Sequence, residues 1–177
     1  MNFTNTDLEP LADETDDFDE DEDTLESRYL IFSLADRSYG IEIKFITEIV
    51  GMQTITEIPD MPSFIKGVIN LRGKVIALVD VRERFKMDSI GYNDKTCVII
   101  LSVNQQLIGL IVDTVKEVIK ISGQNMEEAP RFGEHEGNQF VKSIAKVNED
   151  VKVLLNIQKL LKDEDKQAID AAISNQT

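Results

Sequence analysis

Few side chains in this chain are of the types and spacing that run a reaction. The one histidine, His135, sits in Gly133-Glu-His-Glu-Gly137, where Glu134 and Glu136 could join it on a metal, yet no second histidine or helical spacing completes a site. It reads as an exposed loop histidine. A serine triad would need that same imidazole, and no Gly-x-Ser-x-Gly turn presents a nucleophile. The nine glycines form neither a Gly-x-Gly-x-x-Gly nor a phosphate loop, so nothing signals a nucleotide. Alternate carboxylates in Asp17-Phe-Asp-Glu-Asp-Glu-Asp23 invite a calcium-loop reading. Its sixth position, however, is Glu22 instead of glycine and its twelfth is Arg28 instead of glutamate. No cofactor or metal is expected, and no catalytic residue stands out.

Charge narrows the partners further. The net charge of −14 is concentrated in residues 1–26, which hold 12 acids and no Lys or Arg, leaving 21 acids against 19 bases in the rest. Such a body lacks the basic face that displaces counterions from nucleic acid. The acidic segment itself is expected to be disordered. A single cysteine, Cys97, excludes an intramolecular disulfide and reads as a small buried hydrophobe, which suits a reducing cytoplasm. No signal-like or membrane-spanning apolar run is expected. Among candidate binding residues Arg72 is the sharpest: it lies in Asn70-Leu-Arg-Gly73, a hairpin tip between two apolar strands. It is either a solvated turn or a partner-binding arginine.

The elements that carry these residues are duplicated. Tyr29-Leu-Ile-Phe-Ser-Leu through Glu48-Ile recurs 69 residues later as Val98-Ile-Ile-Leu-Ser-Val through Glu117-Val, each with a polar turn, a glycine (Gly40, Gly109) and a glutamate. Gly67 to Val81 recurs at 76 residues as Ser143 to Ile157, with Arg72 replaced by Asn148. Two copies that each bury little alone can share one core. Short β-branched and aromatic runs predict strands near 28–35, 38–43, 48–56, 67–72, 74–79, 96–103, 106–112, 116–122, 142–148 and 151–156, hence a mainly β fold of two small barrels. Helical turns are expected at 44–47 and 113–115, and helices at 80–85 and 157–162, the latter two opened by Asp80 and Asn156. A C-terminal helix is expected over 163–174, with Ile169, Ala172 and Ile173 on one face. Residues 122–140 read as a loop.

Phe64-Ile-Lys-Gly-Val-Ile-Asn-Leu-Arg-Gly73, followed by Val79-Asp-Val-Arg-Glu-Arg-Phe85 and preceded by Tyr39-Gly-Ile-Glu-Ile43, resembles the CheW family of bacterial chemotaxis coupling proteins. The likeness continues through Tyr92-Asn-Asp-Lys-Thr, Ile108-Gly-Leu-Ile-Val-Asp113 and Asn156-Ile-Gln-Lys-Leu-Leu161. The acidic N-terminal segment departs from typical members, as does Ala77, where the family often has proline.

The resemblance implies a CheW-like domain over residues 27–162: two five-stranded SH3-like β-barrel subdomains, roughly 38–90 and 95–155, with strand exchange at their edges possible. A C-terminal helix and tail would follow over 163–177. It further implies a non-enzymatic cytoplasmic adaptor linking the hairpin tips of methyl-accepting chemoreceptors to the regulatory domain of the histidine kinase CheA in membrane-associated arrays. The receptor-contacting positions it implies are Ile46, Glu48, Gly67, Arg72 and Gly73 in the first copy, with Val98, Val115 and Val118 in the second. For those last three, core packing is an equal reading. The kinase-contacting surface is not assigned to residues. The alternatives left open are a coupling protein of a related chemosensory pathway, such as pilus motility, and a small β-barrel enzyme.

Overall fold

The structure, a computed structural model, describes residues 27–128 and 139–176. The acidic segment 1–26 and His135 with its flanking glutamates lie outside the described residues. Eleven strands run in chain order: β1 Arg28–Leu34, β2 Arg37–Glu42, β3 Ile46–Gly51, β4 Ile65–Leu71, β5 Lys74–Asp80, β6 Cys97–Val103, β7 Gln106–Val112, β8 Thr114–Lys120, β9 Met126–Glu128, β10 Val141–Val147 and β11 Asp150–Leu155. Helix α1 (Val81–Arg84) follows β5, and α2 (Asp163–Gln176) follows β11. The strands form a six-stranded sheet, β8-β1-β2-β11-β10-β9, and a five-stranded sheet, β3-β6-β7-β5-β4.

The sequence repeat maps directly onto these strands. β1, β2 and β3 correspond to β6, β7 and β8 at the 69-residue spacing, and β4 and β5 to β10 and β11 at 76. Under that mapping the two sheets have the same strand order. Each nevertheless takes its first hairpin from one copy and its remaining strands from the other, so repeat boundaries and sheet boundaries differ. The exchange reaches past the edges, because β1-β2 and β6-β7 sit inside their sheets. Two parallel pairings, β2 with β11 and β5 with β7, join the copies.

The repeated glycines serve this junction. Gly40 lies opposite Leu154, and a Cβ on it would come 2.7 Å from the Leu154 Cδ2; Gly109 lies opposite Leu78, with the same atom at 2.4 Å. Only a residue without a side chain lets a leucine of the other copy cover the strand at that point.

Four two-residue turns close the β1-β2, β4-β5, β6-β7 and β10-β11 hairpins. In all four both turn residues have positive φ: Ala35 and Asp36, Arg72 and Gly73, Asn104 and Gln105, Asn148 and Glu149. That is the turn form whose twist matches paired strands. Strand β1 is buried on both faces beyond Arg28. The reason is that three apolar clusters form: one inside each sheet, around Ile31 and Leu154 and around Leu78 and Val98, and a larger one between the sheets. This central core holds Phe32, Leu34, Ile41, Leu101, Leu110 and Phe140, and α2 closes it through Ile169, which is buried, and Ile173.

Several local expectations change. The stretch 122–140 contains β9, which pairs with β10 through Glu127 and Ile144; its counterpart in the first copy is the lone bridge between Thr56 and Val68. The strand expected over 48–56 therefore stops at Gly51 and returns only at Thr56. At 113–115 there is no helical turn, because Thr114 and Val115 already pair with β1. The helix expected over 157–162 is a single 3-10 turn, Ile157–Lys159. It ends because the Lys162 amide donates to the Asp165 carboxylate, 3.1 Å, which starts α2 instead. Asp80 and Asn156 do cap: their side chains accept from the Glu83 and Gln158 amides.

Candidate functional site

The β4-β5 hairpin tip is built by local chemistry. Asn70 Oδ1 accepts the Gly73 amide at 3.0 Å, which fixes the turn, and Arg72 and Gly73 take φ values of 53° and 86°. Nothing surrounds Gly73, so its freedom is used for the turn alone. Arg72 then points back across the open end of the five-stranded sheet to β3. Its Nη1 and Nη2 donate to the two carboxylate oxygens of Glu48 at 2.6 and 2.7 Å. Glu48 is aimed there by an irregularity in the β3-β6 register between Ile46 and Glu48.

The carboxylate that Arg72 reaches is thus one of its own chain, 24 residues away in sequence. Each charge favours the other: the Arg72 guanidinium beside Glu48 holds its carboxyl below the usual carboxylate range, and Glu48 raises Arg72. The Arg72 side chain stays 70% exposed and that of Glu48 27%. A pair this open to water adds little to folding. It has no counterpart in the second copy, where Glu117 is repeated but Asn148 replaces the arginine.

The other expected positions divide by depth. Ile46 is half-buried at the rim of the central core, on the face of β3 opposite Glu48. Gly67 supports backbone geometry. Its φ is +142°, and a Cβ there would meet the Thr56 carbonyl oxygen at 2.2 Å, so it allows the Thr56–Val68 bridge that draws the β3 connection against β4. Val98 is fully buried among Leu78, Ile100 and Ile111, and its side chain offers no surface. Val115 is half-buried on the central core, whereas Val118 is 50% exposed on edge strand β8.

One exposed residue escapes notice in the sequence. Ile49, 42% exposed on edge strand β3, is the repeat counterpart of Val118. The two edge strands thus present an apolar side chain at the same place. The 69-residue repeat is the signal that pairs them.

A second ionic junction sits between the copies. Arg82 of α1 donates from Nε and Nη2 to the two Asp113 oxygens at 2.7 and 2.6 Å, and the Ala35 amide adds a third bond to Asp113 at 2.9 Å. Arg82 also donates to the Asp88 carbonyl. This junction is a clamp more than a binding site, since both side chains are largely covered. Among the described residues no group of three His, Cys, Asp or Glu could hold a metal ion, and no helix is long and apolar enough to cross a membrane.

A family model described as a CheW-like domain matches residues 28–165, most of the chain. The chain belongs to the CheW family. Its match to the chemotaxis protein CheW of Klebsiella aerogenes is 33% identical and spans 84% of this chain and 89% of that one. Protein FrzA of Myxococcus xanthus is 23% identical over 81% of this chain and 91% of its own. The crystal structure of scaffolding protein TtCheW from Thermoanaerobacter tengcongensis superposes with a TM-score of 0.73 at 35% identity, covering 79% of this chain and 95% of that chain. The mainly β fold expected as two five-stranded barrels is present as two sheets, one with β9 as a sixth strand, in the fold of this CheW relative, and the CheW resemblance of the sequence stands as family membership.

Proposed function

We propose that this CheW-family chain is a non-catalytic cytoplasmic adaptor that couples chemoreceptors to the histidine kinase CheA and lets the receptor control the kinase. The observation that carries this reading is the Glu48–Arg72 pair on the rim of the five-stranded sheet. An exposed bidentate pair contributes little to stability, yet it holds a guanidinium and a carboxylate in fixed geometry on one face of edge strand β3, whose other face carries exposed Ile49 and half-buried Ile46. A helical receptor tip presents matching groups: apolar residues on one face and charged or carbonyl groups beside them. Exchange of the internal pair for pairs with the helix keeps both charges satisfied throughout docking.

In this reading Ile46, Glu48, Arg72 and Gly73 form the receptor surface of the first copy, and Val115 and Val118 that of the second. Gly67 and Val98 act through the backbone and the packing beneath. CheA docks elsewhere, barrel against barrel, through its own CheW-like regulatory domain, and the assembly is recruited to membrane-associated receptor arrays.

The test is Arg72→Glu, made on the full chain and titrated separately with a receptor cytoplasmic fragment and with the CheA regulatory domain. The fold should survive with an almost unchanged melting temperature, since a hairpin tip tolerates substitution. Receptor affinity should fall by at least about tenfold, with loss of kinase activation, because Glu48 would then face a second carboxylate. Kinase-domain affinity should change far less. Full receptor binding and kinase activation by a well-folded Arg72→Glu protein would sink the proposal.

A further inference from the structure

Beside the β1-β2 turn lies a groove of about 410 Å³ bordered by Arg37, Lys116 and Lys152 together with Asp36, Asp150 and Val151. Its cations lack the close ion pairs that several others make. Arg72, Arg82 and Lys142 each have a carboxylate oxygen within 2.7 Å, and Lys44 and Lys146 have one at 3.2 Å. Lys152, by contrast, is 3.9 Å from the well-exposed Asp150 carboxylate. Lys116 meets only the Ser38 hydroxyl, at 3.4 Å, and Arg37 lies beside the Tyr39 phenol. Among the described residues neither of these two has a carboxylate in ion-pair range. Three cations against two carboxylates leave the groove net positive in a body that is net negative.

The groove lies within reach of the start of the chain. Lys116 enters it from the register irregularity of edge strand β8, and farther along β8 Lys120 pairs in register with Arg28, where the N-terminal segment joins β1. The positions of β3 that correspond to these two lysines are Thr47 and Gly51, so they belong to one copy only.

We infer that the groove is a docking surface for an acidic chain segment, and that its occupant is this chain's own Asp13–Glu20. Charge and length both favour this segment. It carries six carboxylates, at Asp13, Glu14, Asp16, Asp17, Asp19 and Glu20, and no base. β1 covers about 23 Å between the chain entry and the groove, at ~3.3 Å per residue. Glu20 precedes Arg28 by eight residues, enough to span about 27 Å at ~3.4 Å each, so Glu20 and earlier acids reach Arg37 and Lys152. Phe18, within the acidic run, supplies an apolar contact for Val151, which is 53% exposed. A segment held by charge in this way needs no regular structure of its own, and tethering gives it a high effective concentration at the groove. The inference is independent of the adaptor reading.

The test compares amide spectra of two full-length chains: the parent, and a variant with Asp13→Asn, Glu14→Gln, Asp16→Asn, Asp17→Asn, Asp19→Asn and Glu20→Gln. Shift differences should cluster at residues 36–38, 114–120 and 150–153. In the parent the same amides should move to the variant's positions between about 0.1 and about 1 M NaCl, as the Debye length falls from ~10 to ~3 Å. The variant should show no such response, and a full-length Arg37→Glu, Lys116→Glu chain should also lose it. Differences confined to the N-terminal amides, or centred on another surface, overturn the proposal, as does a salt response that survives in Arg37→Glu, Lys116→Glu. Differences that grow with protein concentration would transfer the occupant to a second copy and overturn the assignment within one chain.

Discussion

Replacing Asp113 with alanine should destabilise the protein by about 2–4 kcal/mol, because this carboxylate closes the junction between the copies. It accepts two bonds from Arg82 and one from the Ala35 amide, tying α1, the β1-β2 turn and the start of β8 together. Hydrogen bonds to a charged group are worth about 1.5–3 kcal/mol each, but bonds sharing one acceptor do not add. The side chains of Arg82 and Asp113 are 13% and 21% exposed, so water partly compensates the loss and the cost falls short of the ~3–5 kcal/mol seen for fully buried pairs.

For a chain of this length that is a drop of roughly 5–15 °C in Tm, readable by circular dichroism. The pH dependence sharpens the test. Burial alone would raise the Asp113 carboxyl, but the Arg82 bonds and the Ala35 amide outweigh it and hold it below the usual range. A carboxyl with a depressed folded pKa contributes its stability above its unfolded value of about 3.9 and loses it as pH falls through the folded one. The parent should therefore lose stability below about pH 4 more steeply than Asp113→Ala, and the two curves should converge in acid. Parallel curves, or a Tm within about 1 °C of the parent at neutral pH, would refute the reasoning.

Two further perturbations probe the backbone and the loop that follows α1. Gly67→Ala puts a Cβ against the Thr56 carbonyl at a φ that L residues rarely adopt, so about 2–4 kcal/mol should be lost in urea unfolding, with faster hydrogen exchange at the Thr56 and Val68 amides; an unchanged midpoint would show that the bridge is dispensable. Tyr92→Phe removes the hydroxyl that donates to Asp80 at 2.8 Å, and Asp80 is 3% exposed, so about 1–2 kcal/mol should go. In the parent, the Tyr92 phenol should resist alkaline titration, since burial and the neighbouring Asp80 both push it up, and an ordinary titration would contradict the contact.

The sequence determined the strands and their repetition. Alternation and β-branched composition act over a few residues, so β1, β2, β5, β6, β7, β10 and β11 could be placed close to their true bounds, as could the turns at Arg72-Gly73 and Asn148-Glu149. The repeat spacing also marked Gly40 and Gly109 as equivalent, although not why they are glycine. That reason is a leucine from the other copy, opposite each of them. Partnering between strands far apart in sequence leaves no local signature. Only the tertiary structure decided that each sheet would take its first hairpin from the other copy, because a strand buried on both faces has the same apolar sequence whichever neighbour it pairs with.

The site divides the same way. Arg72 and Glu48 were both visible as candidates, but their contact depends on the turn, on the register irregularity in β3 and on the rim of the sheet bringing 24 residues of separation down to 2.6 Å. Val98 and Val118 are both valines in or beside apolar runs; the fold buries one completely and leaves the other half-exposed, because β6 lies inside its sheet and β8 at the edge of the other. Residue type set what each side chain could do, and the order of strands set which of them meets water.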